Sequence, residues 1–527
     1  MIARRPPPAD ACTPEEVGTA MIPGYEPFRA RFGDLHNHCD LSYGRGSLDD
    51  ALANARLQLD FASVTVHGAW PDVPRDDPDL GYLVDYHERG FERARAGWDG
   101  YLERMAAADQ PGRFVTLPSF EWHSMAYGDH CVYFRDGRGS RIVDAPDLPA
   151  LRAAVRSAPG GALLVPHHVG YRHGYRGIDW DAFDPELSPV VETMSFHGSS
   201  ESCDGPVPYL HAMGPRHEHG TARHAYQRGL RFGLIGSTDH HNAVPGAYGF
   251  GRLGAWLRAL DRDGLWEALR QRRTYALTGD RIELAFAVDG HPMGAAAALG
   301  RERRIEVAVR GGHGIEYVEV LHGERVVHRH DVWPQPGGAG VVKVHVQVGW
   351  GERDRATAWD VALRVRDGEL LGVEPRFRGP YPSVVPPAGA GHAPHALERT
   401  AGDAVRFATE TWPNPLSALP AMEGVALELR ADGATAIEAE VNGRRLCVPL
   451  RDLAEGARSQ HLGGFVSPAI CFDRAVPESE FATRFDLVHR HPDGAAPDAY
   501  RVRVRQRNDQ WAWSSPIWAE PSATGGR

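Results

Sequence analysis

The chain has 527 residues, a length that as a prior suggests roughly two to four domains. Its 58 Lys plus Arg against 69 Asp plus Glu leave a net charge of −11, which speaks against nucleic acid as a general partner. Lysine occurs once, at Lys343, so a P-loop is excluded, and so is a Schiff-base lysine in the first half. Histidine is abundant instead: 27 in all, 16 of them from His36 to His241.

Residues 1–24 are Pro-rich and read as an extended lead-in. The opening MIARRPPPADACTPEEVG lacks the apolar stretch of a secretory signal, and no later run of about 18 apolar residues suggests a membrane span. Cys12, Cys39, Cys131, Cys203, Cys447 and Cys471 are scattered without a CxxC pair, against both a disulfide scaffold and a Cys-rich zinc module. The expectation is a cytoplasmic protein with no membrane partner. Over 25–285, β-branched runs alternate with helical patterns. Ser47 and Asp50 form a capping box opening a helix whose Leu48, Ala51, Ala55 and Leu59 share a face. Further helices fit 82–108, 148–157, 216–228 and 263–273, and FVTLPSF, GALLVP, PVVETM and RFGLIGS read as buried parallel strands. From 286 to 527 the pattern is short strands such as RRIEVAVRGG and VVKVHVQVGW, which suggests one or two β-sandwich units with a Pro/Gly-rich linker near 379–396.

The chemistry sits where the strands end. RFGDL runs into His36-Asn37-His38, FASVTV into His67, FVTLPSF into Glu121, GALLVP into His167-His168, and FGLIGST into Asp239-His240-His241. In a (β/α) barrel the strand C-termini converge on one face, so these residues would meet in one cup. Imidazoles with carboxylates suit Zn, Mn or Fe rather than Ca. The spacing in His36-x-His38 lets both rings point the same way from an extended segment, and the same argument favours His241 over His240. Nothing comparable follows His241.

GDLHNH, VTVHG, the strand-terminal Glu121, PHH and GSTDHH, in that order, resemble the motifs of the PHP (polymerase and histidinol phosphatase) superfamily. GLWEALRQRRTYALTGDRIELAF and QWAWSSPIWAEP resemble a bacterial branch known only as a domain of unknown function with a β-rich C-terminal region. The resemblance implies a distorted (β/α)7 barrel over 25–285 and an all-β sandwich-like region after it. It implies a metal-dependent hydrolase with two or three divalent ions. His36, His38, Glu121 and Asp239 would hold the first. Glu121 would bridge to a second, completed by His130 and by His167 or His168, with the Pro-His step favouring His167. His67 and His241 would serve a third. Relatives usually supply a His or Asp shortly after the His-x-His, where this chain has Gly44 and Arg45.

A carboxylate shared by two ions makes a hydroxide available at neutral pH, and the same ions clamp a phosphoryl centre. Arg45, Arg172 and Arg176 are the candidate anion holders, although Arg172, His173 and Arg176 read equally well as a solvated loop. His197 is a candidate acid for the leaving group, with Glu192 facing the site or fixing a neighbour. Cys39 and Cys131 read as buried thiols, and Trp70, Trp122 and His123 as pocket lining or packing. The leading expectation is therefore a phosphoesterase acting on a small anionic phosphate ester. Hydrolysis of C–N or C–O bonds by the same centre, or a non-catalytic binding protein, are the alternatives, and a homo-oligomer is left open.

Overall fold

The structure is a computed structural model that describes residues 22–209, 214–335, 339–349, 356–381, 395–399, 402–411, 422–464, 467–491 and 498–520. The first half runs β1 Arg29–Asp34, α1 Leu48–Gln58, β2 Phe61–Ala62, β3 Val66–Ala69, α2 Gly81–Ala108, β4 Val115–Thr116, β5 Ser119–Trp122, β6 Asp129–Phe134, α3 Leu148–Arg156 and β7 Ala162–His167. It continues with β8 Val190–Ser195, β9 Gly198–Ser199, α4 Ala222–Gln227, β10 Gly233–Gly236, β11 Arg252–Leu257, α5 Arg262–Arg270 and β12 Thr274–Leu277.

Side-chain caps account for the starts of α1, α3, α4 and α5. Ser47 Oγ accepts the Asp50 amide at 3.1 Å while the Asp50 carboxylate accepts the Ser47 amide at 3.4 Å, which is the expected capping box. Asp147 and Asp261 cap α3 and α5 singly, each accepting one amide, from Ala150 and Gly264. The helix expected over 216–228 shrinks to α4, because Thr221 accepts the His224 amide and so starts the helix at Ala222.

The architecture is mixed α/β with many strands and few helices. β1, β2 and β4 pair in parallel, as do β3 with β5 and β8 with β10. β5, β6 and β7 run antiparallel, and β11 and β12 extend β1 antiparallel. These hydrogen bonds draw separate sheets, not the single parallel ring of a (β/α)7 barrel. One core nevertheless joins them, with Leu35, Phe61, Val115, Tyr133, Val165 and Ile235 in a single buried cluster. Side chains on the opposite face of β5 and β6 (Trp122, Val132 and Phe134) pack with Trp98, Tyr101 and Met105 of α2.

The expected division at 285/286 falls inside a continuous structure. β12 pairs with Trp511–Ser514, which pairs with Ala499–Gln506, so the end of the described chain returns to the sheet of β1. Strands Glu283–Val288, Glu302–Arg310 and Ala482–Arg490 form a second sheet over the same core. That core takes in Ile22 from the expected lead-in, and Tyr25 just after it donates its hydroxyl to Phe286 O at 3.0 Å. Residues 1–21 lie outside the described residues.

Between Ile315–His322 and Ala482–Arg490 the chain builds a two-sheet sandwich. Gly340–Gly349 pairs with Met422–Ala431, and Thr357–Arg366 with Ala404–Thr411 and Ala436–Val441. Burial alternates along Thr357–Arg366, which puts Trp359, Val361 and Leu363 into a core shared with Val342, Val344 and Val346. Arg376, at the end of Glu369–Arg376, lies 3.0 Å from Asp280, and both are fully buried. Most of the expected linker, 382–394, lies outside the described residues. Among the described residues no helix is long and apolar enough to cross a membrane.

Just before that stretch, the backbone amides of Arg378 and Gly379 donate to the buried Glu423 carboxylate at 2.7 and 2.8 Å. Burial outweighs these bonds and pushes the carboxyl up to about 8. Its folded value lies above its unfolded one, so the stability it contributes is present in acid and is lost as pH rises toward 8. Relative to Glu423→Gln, the native chain should lose about 1 kcal/mol of unfolding free energy per pH unit between pH 5 and 8 and level off above. Denaturant titrations at a series of pH values check this, and parallel profiles for the two proteins would refute it.

Candidate metal centre

Strand ends deliver the site residues, and two backbone kinks aim them. Neighbouring residues on an extended strand point to opposite faces, yet His167 and His168 both reach the site. His168 is left-handed, with φ of 54°, and that turn redirects its ring. Asp239, after β10, is left-handed as well, with φ of 53°. Non-glycine residues in this region carry strain, and here both sit in the functional cluster. Asp34 fixes the framework: its buried carboxylate accepts the amides of His36, Thr238 and Gly246 at 3.1, 3.1 and 2.8 Å and the Thr238 hydroxyl at 2.5 Å.

Glu121 lies at the centre. Its Oε1 is 2.8 Å from His167 Nε2 and 3.2 Å from His123 Nδ1. Its Oε2 faces His67, His38 and His36 Nε2 at 3.3, 3.5 and 3.7 Å, is buried, and has no hydrogen-bond partner. Asp239 Oδ1 is 2.9 Å from His38 Nε2 and 3.4 Å from His36 Nε2, while its Oδ2 meets His197 and His168 at 3.1 and 3.3 Å. Ligand-type atoms lie within 4.8 Å of one another in overlapping groups: His36, His38 and Asp239; His38, His67 and His241; Glu121, Asp129, His167 and His168; His67, Glu121 and His123.

The far nitrogens of the rings are held from behind. His36 Nδ1 donates to Glu192 at 3.0 Å, His38 Nδ1 to Thr65 O at 2.7 Å, and His241 Nδ1 to Asp239 O at 2.9 Å. These partners only accept, so Nδ1 carries the proton and Nε2 turns inward. Ser42 Oγ backs His67 Nδ1 at 2.7 Å, and Cys131 Sγ backs His167 Nδ1 at 3.6 Å. This orientation, with an orphaned carboxylate oxygen between three Nε2 atoms, fits a divalent cation.

The buried charges of the cluster compensate one another. Burial alone would raise Glu121 and Asp239, yet the imidazoles around them, His36 foremost for Asp239, hold both carboxyls well below the usual range. Burial would likewise strip a proton from His36 and His167. Instead Cys131, then Glu192 and Asp239, raise His36 well above the imidazole range, and Cys131 and Glu121 raise His167 to about 10. Burial and neighbouring rings lower His67 and His168 strongly and His241 to about 3, which leaves these rings neutral.

Several expected residues take other places. His130 pairs across the strands with Trp122, on the face away from Glu121 and Cys131, and its Nδ1 donates to Gly128 O at 2.9 Å. The alternation of β6 presents Asp129 and Cys131 instead. His240 Nε2 leaves the site for Pro380 O at 2.8 Å, while His241 stays near His38 and His67. Arg172 is exposed and lies over Tyr175, and His173 reaches Ala126 O at 2.8 Å. Arg176 is buried against Asp129, not presented at the rim. Arg45 is half-buried, donating its amide to His241 O at 2.8 Å, with its guanidinium 3.4 Å from Asn242 Oδ1. Both nitrogens of His197 are engaged, by Tyr171 OH at 2.9 Å and by Asp239, so it braces that carboxylate. Asp129 is the residue sequence reasoning missed, and the alternation Asp129-x-Cys131-x-Tyr133 is the signal that marks it.

No family model matches the chain. It is 23% identical over 276 residues to an uncharacterized protein of Chlamydia pneumoniae, covering 48% of this chain and 44% of that protein. An uncharacterized protein of Chlamydia trachomatis is 31% identical over 169 residues, 29% of this chain and 27% of the relative. The chain thus spans less than half the length of these relatives. Among solved structures, a two-domain protein from Bacteroides vulgatus, described as containing a predicted PHP-like metal-dependent phosphoesterase, aligns over 81% of this chain and 97% of its own. Its sequence identity is 12% and its TM-score 0.29.

Glu192 is the carboxylate that backs the His36 ring. Glu192→Gln should therefore weaken Mn²⁺ or Zn²⁺ binding by about 10- to 100-fold, read by equilibrium dialysis. Equal affinity in the two proteins would show that His36 needs no such partner.

Proposed function

We propose that the chain is a metal-dependent hydrolase and that its substrate is a small phosphate ester. The observation that carries the metal reading is Glu121 Oε2, buried, unbonded and ringed by the Nε2 atoms of His36, His38 and His67. A naked carboxylate oxygen in such a place is costly unless a cation completes it. The ordered motif set that resembles the PHP superfamily supports phosphoester chemistry over C–N or C–O hydrolysis.

In this reading Glu121 lies between two groups of donors. His36, His38 and Asp239 hold one ion, and His167 and His168 hold a second. His38, His67 and His241 form a third group. Zn, Mn or Fe suits these donors, and bound ions would supply an activated water and neutralise charge on the phosphoryl oxygens. The chain's own part is orientation. Asp34 ties the His36–His38 segment to the Asp239 loop, Glu192 and Thr65 O fix the ring tautomers, and Tyr171 with His197 steadies Asp239. Arg45, beside His241, supplies a fixed positive charge for a substrate oxygen.

Elemental analysis of purified protein, followed by turnover of p-nitrophenyl phosphate and bis-p-nitrophenyl phosphate with added Mn²⁺, Zn²⁺ or Fe²⁺, tests the reading. Bound metal with chelator-sensitive turnover is expected. Metal without either activity would favour amide or ester substrates, and no metal would leave a binding protein. Glu121→Ala should remove more metal than His67→Ala, because Glu121 touches donors of every group and His67 of fewer. Equal and near-full metal in both variants would refute the bridging role. Arg45→Ala should keep the metal count and raise KM for the phosphate ester several-fold.

A further inference from the structure

One corner of the donor cage already contains a cation. Arg176 sits on the loop between Gly170 and Gly177, and its guanidinium reaches inward to Asp129 Oδ2. The same NH2 group donates to His123 Nδ1 at 2.7 Å. That nitrogen must accept, since His123 Nε2 faces Tyr43 OH at 3.1 Å and can carry the ring proton there. His123 Nδ1 lies 3.2 Å from Glu121 Oε1 and 3.4 Å from Asp129 Oδ2, so an imidazole lone pair and two carboxylates converge where the guanidinium inserts. Trp70 covers the group from one side, with its ring centroid 4.9 Å away, and only 12% of the Arg176 side chain is exposed.

The backbone is bent to achieve this. Arg176 is left-handed, with φ of 62°, a conformation that costs a non-glycine residue free energy. Gly177 follows because a Cβ there would lie 1.9 Å from Tyr171 O. A strained loop that buries a guanidinium against a ligand-type carboxylate is difficult to explain as a solvated surface turn.

Resting on the metal-centre reading, we propose that Arg176 is a built-in cation that fills the Glu121–His123–Asp129 corner, so that this corner takes no divalent ion. The guanidinium uses the lone pair of His123 and Oδ2 of Asp129, which an ion would otherwise take, while Asp129 Oδ1 accepts the Ser124 amide at 3.1 Å. It has no lone pair of its own and stays protonated, so it competes with a metal and cannot ligate one. The divalent ions are then confined to the groups around His36, His38 and Asp239, around His167 and His168, and around His67 and His241.

The test counts ions. Native protein and Arg176→Met, which keeps length and removes charge, are dialysed against Mn²⁺ and analysed for metal per chain. The variant should bind one ion more. Crystals of the native protein soaked in Mn²⁺ should show no anomalous peak within ligand distance of both His123 Nδ1 and Asp129, and this measurement stands even if the variant does not fold. Equal counts at equal affinity, or a native peak at that corner, overturn the proposal and leave the metal-centre reading intact. A native chain that binds no ion overturns both.

Discussion

A carboxylate buried among imidazoles sets the terms for the first half of this protein. Glu121 touches rings delivered by β1, β3, β5 and β7, so four chain segments must end at the same depth for its oxygens to be matched. Taking a carboxylate out of water costs several kcal/mol unless charge or hydrogen bonds replace the solvent. Here the compensation comes from groups far apart along the chain, so the site and the fold around it stand or fall together. The left-handed backbone at His168 and Asp239 is a local cost of that convergence.

Part of this arrangement is legible in the sequence. Imidazoles and acids that interrupt apolar β-branched runs are conspicuous, which is why His36, His38, His67, Glu121, His167, His168, Asp239 and His241 stand out in the sequence by themselves. The fold brings them together. Asp129 is not legible in the same way, because DHCVYF offers a histidine one place away and only the strand assignment tells which neighbour faces inward. Pairing Trp122 with His130 sends that ring to the outer face, and a one-residue shift exchanges the two sides. Arg176 is hidden for another reason: a guanidinium on a Gly-flanked loop reads as surface until its contact with Asp129 is seen.

The sheet connections are the least legible feature. Alternation of strands and helices argues for parallel pairing, and several pairs are parallel, but β5 to β7 are short enough to be joined antiparallel with few residues between β5 and β6. Nor does any local signal state that WAWS belongs beside Thr274–Leu277, hundreds of residues earlier. Such a return is decided by the apolar faces it covers. Tyr25, Trp256 and Tyr275 share one core with Val502 and Val504, which is why 285/286 does not separate two independently sheeted units.

That return also gives the sandwich a bearing on the metal centre. The loop after Asp239 is anchored at three points that owe nothing to the ligands themselves. Asp34 accepts the Thr238 and Gly246 amides from one side. Arg252, fully buried in β11, donates to Gly246 O at 2.9 Å through Nε and to Gln58 Oε1 of α1 at 3.2 Å. The third anchor comes from the sandwich: His240 Nε2 donates to Pro380 O, and Gln58 Oε1 also accepts the Phe377 amide at 3.2 Å. His240 lies between Asp239 and His241, so its ring, turned out of the site, pins the two residues that turn in. Side chains are held tightly only where their backbone is, and here the segment 377–380 supplies part of that hold. The β-rich half is therefore part of the site's framework.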